Sequence, residues 1–447
     1  MAFSTPTARA LDRIATRTQA TGRVPGLAAG VARHGALQWS AGVGVADLAR
    51  PDDAPDADTQ YQIASNTKTF VAAVVMALRD EGRLDLDAPL GEVVPESVHG
   101  GVTVRQLLAH SSGIQREPVG DVFDTLRFPD RDALVPGWND AERVLPPHTR
   151  WHYSNLAFAL LGEVVTRLDG GDWFASVQRR ILDPLEMRRT TLGSSGRQAG
   201  TYFVPPYSDV PVEEPRLDIG AVGPAAAMAS TVEDLARWGG FIAVPDEEIL
   251  SPATVEEMCQ PQIVTDVDRW GVAWGLGLML LRDHDRIWVG HTGGWPGSIT
   301  GVFTHRESAT TGIVLMNATH SPDPASTAVE LGTCSLDLEP EPQRPWVPGR
   351  SVPADLESLL GVWFSEGTAF TFSVREGVLE ARVEGLPSWK TPARFERLAD
   401  DVYRTVVGRE QGELLRVTRR DDGTVDRMHW ATYLFTREPL AFGAHLD

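Results

Sequence analysis

The chain runs to 447 residues with 42% hydrophobic and 23% charged residues, an ordinary composition for a globular protein holding one large domain and a smaller one. Its formal charge of −20 repels polyanions and argues against nucleic acid or an anionic membrane as a partner. Two cysteines, Cys259 and Cys334, form no CxxC pair and no disulfide framework, and both are expected to be buried thiols.

The opening Met1-Ala2-Phe3-Ser4-Thr5-Pro6 has no basic segment leading into an apolar one. No run of about 18 apolar residues occurs, so the cytoplasm is the expected compartment and no membrane span is expected. Over residues 7–20, Leu11 and Ile14 recur at helical spacing. Two short runs, 26–32 and 37–45, read as a hairpin with Gly35 in the turn. An apolar run from Ser65 to Leu78 predicts a helix that closes at Glu81-Gly82, where glycine suits a left-handed cap. Thr103 starts a short helix over 104–109, and the period of Leu156, Leu160, Leu161, Val164, Val165 and Leu168 predicts another over 156–168. Thr231-Val232-Glu233-Asp234 has the spacing of a capping box.

From Arg286 the pattern turns to strands, at 287–290, 298–304 and 311–317. Strands at both ends of a helical insert imply an α/β (α+β) domain over 1–337. Its mixed or antiparallel sheet would be flanked by helices, with an all-helical subdomain beside it. Residues 338–353 are proline-rich and read as an extended linker. Beyond it, 354–447 alternates in short pieces at 370–375, 378–383, 402–407, 414–419 and 429–435, a small all-β barrel or half-barrel.

Only two lysines stand against 39 arginines, and one of them, Lys68, lies three residues after Ser65 at the head of the apolar helix. Positions i and i+3 share a helix face, and an ammonium, unlike a guanidinium, discharges when desolvated. A neutral amine beside a hydroxyl can take its proton. A second element is Tyr153-Ser154-Asn155, just before the Leu156 helix. A phenol near a lysine ammonium is expected to have a lowered pKa and to shuttle protons. The amide can hold a substrate carbonyl or position the lysine, or else merely cap the helix. The third element, His291-Thr292-Gly293-Gly294, is expected at a strand end, where the imidazole lines a cleft and the glycines admit a substrate backbone.

Other signals point nowhere. His148 and His152 have i,i+4 spacing but no intervening HExxH glutamate, so no metal is expected. Gly42-Val43-Gly44-Val45 lacks a dinucleotide fingerprint, and no cofactor is expected. Trp270, Trp274, Trp288 and Trp295 cluster in sequence around the third element and are expected in the core, with Trp295 a candidate pocket wall.

In this order the three elements match the SxxK, YxN and K/H-T-G set of the penicillin-recognising serine enzymes. The chain resembles the class C β-lactamase-like superfamily, which includes D-alanyl-D-alanine carboxypeptidases, D-aminopeptidases, family VIII esterases and penicillin-binding-protein-type thioesterases. The stretches 25–31, 61–65, 104–114 and 229–235 carry the likeness over about 1–335, and 354–447 resembles the lipocalin-like domain of some members.

The resemblance implies Ser65 as nucleophile, Lys68 as its base and Tyr153 as proton relay. Asn155 would bind the acyl-side amide, and His291 would support Tyr153 on the leaving-group side. Thr292, Gly293 and Gly294 would complete the substrate wall, with the N–H groups of Ser65 and Gly294 as oxyanion donors. Histidine stands at position 291 where the superfamily's β-lactamases have lysine, which implies weak anchoring of a β-lactam carboxylate. The expected function is a serine hydrolase or acyltransferase on D-amino-acid-containing peptides or peptidyl (thio)esters, with peptide cyclisation among its outcomes. Small peptides or esters are the expected partners, and homo-oligomerisation stays open. A short-chain carboxylesterase and a non-catalytic covalent binder are the alternatives.

Overall fold

Every residue of the strand Gly26–Arg33 up to Ala32 is buried, because the sheet that holds it is covered on both faces. Side chains alternate across a strand. Leu27, Ala29 and Val31 face one apolar cluster with Leu11, Ile14, Ala328 and Leu331 from the helices Thr5–Gly22 and Pro324–Leu338. Ala28 and Ala32 face the other, with Leu235 and Ala236 of the helix Val232–Ala243. A Cβ on Gly30 would lie 2.4 Å from Val232 Cγ1, so that helix approaches closely only because the strand is small-sided there.

The structure is a computed structural model that describes residues 2–340, 345–349, 351–387, 389–441 and 443–444. The chain divides into two units, Met1–Glu341 and Pro342–Asp447. The expected linker over 338–353 falls partly outside the described residues, at 341–344 and 350. Among the described residues no helix is long and apolar enough to cross a membrane.

The first unit is built on an eight-stranded sheet. In order across it lie Ala36–Gly44, Gly26–Arg33, Thr310–Met316, Ser298–His305, Arg286–Trp295, Met279–Asp283, Val272–Trp274 and Ile263–Val264. Each of these neighbours pairs antiparallel. The hairpin at His34-Gly35 has positive φ at both positions, 50° and 74°, as a tight two-residue turn requires. The N-terminal hairpin thus closes against the C-terminal strand, Leu27 opposite Met316, and the helical insert lies between them in sequence.

Helix Thr67–Asp80 is buried from Thr67 to Leu78. Val71, Val74 and Val75 are mediocre helix formers, each costing about 0.5 kcal/mol against alanine. Burial contributes about 1.5–3 kcal/mol per large apolar side chain and decides the outcome. The helix packs on Asn155–Asp169, whose apolar face is the one the leucine period predicted. Thr103 makes a reciprocal capping box with Gln106. Thr231 accepts from the Asp234 N–H, but Asp234 turns away to Arg189 N and Thr190 Oγ1, so only half of the expected box forms there.

Three further expectations change. Cys259 and Cys334 are half-buried rather than fully buried. Trp270 is 70% exposed, whereas Trp274 and Trp288 are buried as expected.

The second unit is an antiparallel meander of eight strands in sequential order, from Gly361–Ser365 to Tyr433–Phe435. It closes through paired hydrogen bonds between Phe364 and Thr436, at 2.8 and 3.0 Å. Trp363, Phe370, Phe372, Leu379, Phe395, Tyr403, Leu415, Met428, Trp430 and Phe435 alternate inward and fill it. Two strands not foreseen complete it. Gly361–Ser365 opens on glycine, and in Ala393–Ala399 the last four residues, Glu396 and Arg397 among them, are exposed. The segment 429–435 is split between two strands, Val425–Trp430 and Tyr433–Phe435.

Candidate active site

Ser65 stands in a 3-10 turn, Ala64–Asn66, that converts the short strand Tyr61–Gln62 into helix Thr67–Asp80. Ala64 makes the bend at φ 45°, a left-handed conformation that costs a non-glycine residue about 1–2 kcal/mol. Such strain persists where the surroundings over-determine it, and it is common at functional sites. The turn sets the Ser65 hydroxyl at the N-terminal end of a 14-residue helix, where free N–H groups and the dipole favour negative charge.

Lys68 is wholly buried. Its Nζ lies 3.1 Å from Ser65 Oγ and donates to Asn155 Oδ1 and to the Ala225 carbonyl, both at 2.8 Å. The rings of Tyr153 and Phe158 sit 4.9 and 5.5 Å from the same nitrogen. Desolvation pushes the lysine pKa well below its usual value; the Glu117 carboxylate opposes this and Arg116 reinforces it. A neutral amine has two N–H bonds and one lone pair. With both N–H groups committed to the two carbonyl oxygens, the lone pair remains for the Ser65 hydroxyl.

Asn155 is oriented from both ends. Its Oδ1 accepts from Lys68, and its Nδ2 donates to Glu117 Oε1 at 2.7 Å. The alternative of a capping role for Asn155 falls to Ser154, whose Oγ accepts from Ala157 N at 3.0 Å. Ser154 also donates through Oγ to the Gln115 carbonyl, and the Asn155 N–H donates to the Arg116 carbonyl, both at 2.7 Å. Segment 115–117 therefore braces 154–155.

The Tyr153 hydroxyl is hydrogen-bonded to Ser65. The expected lowering of its pKa does not occur. Desolvation raises it above the ordinary phenol value, and burial pushes the pKa of the neighbouring Lys68 well below its own usual value. The phenol is thus a proton donor that stays protonated. His110 stacks on its ring at 4.2 Å, and Trp274 meets it edge-on at 5.8 Å.

His291 is 2% exposed, with its ring 6.3 Å from that of Tyr153. Its Nδ1 donates to the Thr292 carbonyl at 2.5 Å, which fixes the tautomer and leaves Nε2 as an acceptor. Desolvation, with Lys68 nearby, pushes its pKa down to about 3, so the ring is neutral at any working pH. The HTGG segment lies at a strand end, as expected, but within the strand rather than beyond it: it is the last part of the ten-residue strand Arg286–Trp295. Thr292 is half-buried there, and Gly294 pairs with Ile299. A Cβ on Gly293 would lie 2.2 Å from the Ile63 carbonyl oxygen, so this glycine admits the protein's own Ser65 turn rather than a substrate backbone.

Ser65, Lys68, Tyr153, Asn155 and His291 are thus brought together, and Thr292–Gly294 runs along the same strand edge. Sequence reading missed Glu117 and His110. Glu117 carries no spacing signal, being one acidic residue in a loop. His110 lies in the 104–114 stretch that carries the family likeness and is recognisable only by that likeness.

Fold and site together define a β-lactamase-fold serine hydrolase. The family model described as Beta-lactamase matches residues 11–332, and the chain belongs to that family. A second model, described as a domain of unknown function (DUF7586), matches residues 352–437. The chain is 24% identical over 445 residues to unguisins hydrolase ungD' of Aspergillus campestris, covering 90% of this chain and 78% of that protein. A D-stereospecific amidohydrolase from Streptomyces sp. superposes with a TM-score of 0.64 at 26% identity, over 73% of this chain and 99% of that one. The octameric penicillin-binding protein homologue from Pyrococcus abyssi shares the fold with a TM-score of 0.65 at 22% identity, over 96% and 99% of the two chains.

Proposed function

We propose that this hydrolase opens amide or ester bonds on the carboxyl side of D-amino acid residues in peptides, through an acyl-enzyme on Ser65. The observation that carries the reading is the Lys68 amine, which is buried, has its pKa pushed well below the usual lysine value and lies 3.1 Å from the Ser65 hydroxyl. Lys68 takes the hydroxyl proton as Ser65 Oγ bonds to the substrate carbonyl carbon. The oxyanion lies against the N–H groups of Ser65 and Gly294. Tyr153 passes its proton to the leaving nitrogen or oxygen as the scissile bond breaks and recovers one from Lys68. Asn155 holds the acyl-side amide, and His291 accepts from the leaving-group side through Nε2.

An acceptor then releases the acyl group. Water gives hydrolysis. An amine gives transfer, and the substrate's own N-terminus gives a cyclic peptide. The likeness to a D-stereospecific amidohydrolase and to an unguisins hydrolase supports hydrolysis of D-residue peptides as the primary outcome.

The test is a panel of paired D- and L-aminoacyl amides, D-terminal peptidyl thioesters and p-nitrophenyl butyrate, with products resolved by mass. Higher kcat/KM on the D-series supports the reading. Equal rates on both enantiomers, or turnover of the butyrate ester alone, would replace it with a carboxylesterase. A mass shift on Ser65 with no turnover of any substrate would leave a covalent binder.

A further inference from the structure

The backbone N–H groups on either side of Tyr153 both end on one residue. His152 N donates to the His110 carbonyl at 2.8 Å, and Ser154 N donates to Nδ1 of the His110 ring at 3.1 Å. The same imidazole stacks on the Tyr153 ring, with centroids 4.2 Å apart and planes inclined by 29°. Residues 151–154 belong to no helix or strand, so no repeating ladder of hydrogen bonds fixes this stretch. His110 grips it before the tyrosine, after the tyrosine and on the tyrosine's face.

His110 is wholly buried just past the short helix Val104–Leu108, and Phe158 and Trp274 close round its ring at 5.2 Å each. Its φ is 53°, a left-handed conformation that a non-glycine residue keeps only when its surroundings hold it there. Acceptance at Nδ1 places the ring proton on Nε2, and that N–H is buried with no hydrogen-bond partner among the described residues. An orphaned buried donor carries a desolvation penalty. Phenylalanine would fill the same aromatic box without the penalty and would stack as well. What it would lack is an acceptor for the Ser154 N–H. Burial, with Lys68 and His291 near, pushes the imidazole pKa well below its usual value, which favours the unprotonated Nδ1 that this bond needs.

We propose that His110 is a positioning residue for the reaction at Ser65, its Nδ1 and ring face holding Tyr153 where the phenol hydroxyl meets the leaving group. It acts through Tyr153 and is not itself a catalytic residue. The inference rests on the reading of Tyr153 as the proton donor. A departing amine needs that proton, whereas nitrophenolate leaves without it. A phenol displaced by about 1 Å therefore slows amide cleavage by up to about 10²-fold and spares activated esters.

The experiment compares kcat/KM on a D-aminoacyl amide and on the matching p-nitrophenyl ester in the full chain. The variants are His110→Phe, His110→Asn, Tyr153→Phe and the double variant His110→Phe with Tyr153→Phe. Asparagine sets Oδ1 near the place of Nδ1 and tolerates a left-handed backbone. His110→Phe is expected to lower amide turnover about 10²-fold and ester turnover by less than about threefold. His110→Asn is expected to stay within about tenfold of wild type on the amide, the residual loss being the stacked ring. In the Tyr153→Phe background, His110→Phe should cost the amide less than about threefold more, because the group it positions is gone. The amide-to-ester ratio does not depend on how much enzyme is folded. If phenylalanine abolishes folding, His110→Ala removes ring and acceptor without crowding and carries the same expected ratio. Equal losses on amide and ester, no recovery with asparagine, or full additivity in the double variant would overturn the proposal. Failure of the proton-donor reading is distinguishable, because Tyr153→Phe would then show no amide-selective loss with His110 intact.

Discussion

Lys68 Nζ and Asn155 Oδ1 lie 2.8 Å apart, and the far end of the same amide donates to Glu117 Oε1 at 2.7 Å. The bond to Glu117 keeps Asn155 from flipping, so an acceptor rather than a donor always faces the lysine. A flipped amide would set N–H against N–H and drive the amine out of reach of Ser65. Glu117 thus acts through Asn155 on the geometry of Lys68 as well as on its charge.

Replacing the proposed nucleophile, Ser65, is expected to remove the covalent step and leave the scaffold. Ser65→Ala is expected to lower kcat by at least about 10³-fold, with a shift in Tm of a few degrees at most. Lys68→Arg is expected to fall nearly as far, because guanidinium keeps its proton and cannot serve as base. Burst kinetics with a chromogenic ester check both, and an active Lys68→Arg enzyme would remove lysine from the mechanism.

With Lys68 as the proposed base only its neutral form would be active, so kcat/KM is expected to fall as pH drops through its depressed pKa. The Glu117 carboxylate raises that pKa. Glu117→Gln keeps an oxygen to accept from Asn155 but loses the charge, so the acid limb is expected to move to lower pH. A limb that stays put, or moves upward, would mean another group controls it.

Tyr153 remains a phenol because desolvation raises its pKa. Tyr153→Phe is expected to slow amide cleavage by about 10²–10⁴-fold, the usual worth of general acid catalysis. Cleavage of p-nitrophenyl esters should suffer far less, since nitrophenolate departs without a proton. Equal losses on both substrates would point to a structural role for the ring.

His291 is expected to be silent in the pH profile, since burial holds its pKa near 3. No inflection from its titration should appear between pH 5 and 8 in the difference between wild type and His291→Gln. An uncharged ring also offers a β-lactam carboxylate no charge-assisted bond, which is worth about 1.5–3 kcal/mol. Nitrocefin turnover is therefore expected to lag D-aminoacyl amide turnover by about tenfold or more, measured as kcat/KM.

Gly293→Ala tests the strand against the Ser65 turn. The added methyl would meet Ile63 O at 2.2 Å and Thr300 Oγ1 at 2.4 Å. Overpacking of this kind costs about 1–3 kcal/mol. The loss is expected to appear both in Tm and in kcat, because the Ser65 turn must shift. Unchanged activity would show that the turn has slack.

Much of this molecule is local information. The i,i+3 placement of Ser65 and Lys68, the apolar helix behind them, the Gly35 hairpin and the leucine period of helix Asn155–Asp169 are all set by neighbours a few positions apart. Gly361–Ser365 and Ala393–Ala399 escaped notice because half of each strand faces water and carries glycine or charge, so alternation is weak without the partner strands. Glu117 escaped because its significance lies wholly in the amide it faces.

Tertiary structure decided the charges. The order of residues alone set an amine, a phenol and an imidazole on separate segments with ordinary proton affinities. Folding stripped water from all three together, as 110–117, 153–155 and the Ala225 carbonyl closed round Lys68. That desolvation pushes the lysine and histidine pKa values down and the phenol's up, a result that depends on which surfaces meet and that no stretch of sequence carries by itself.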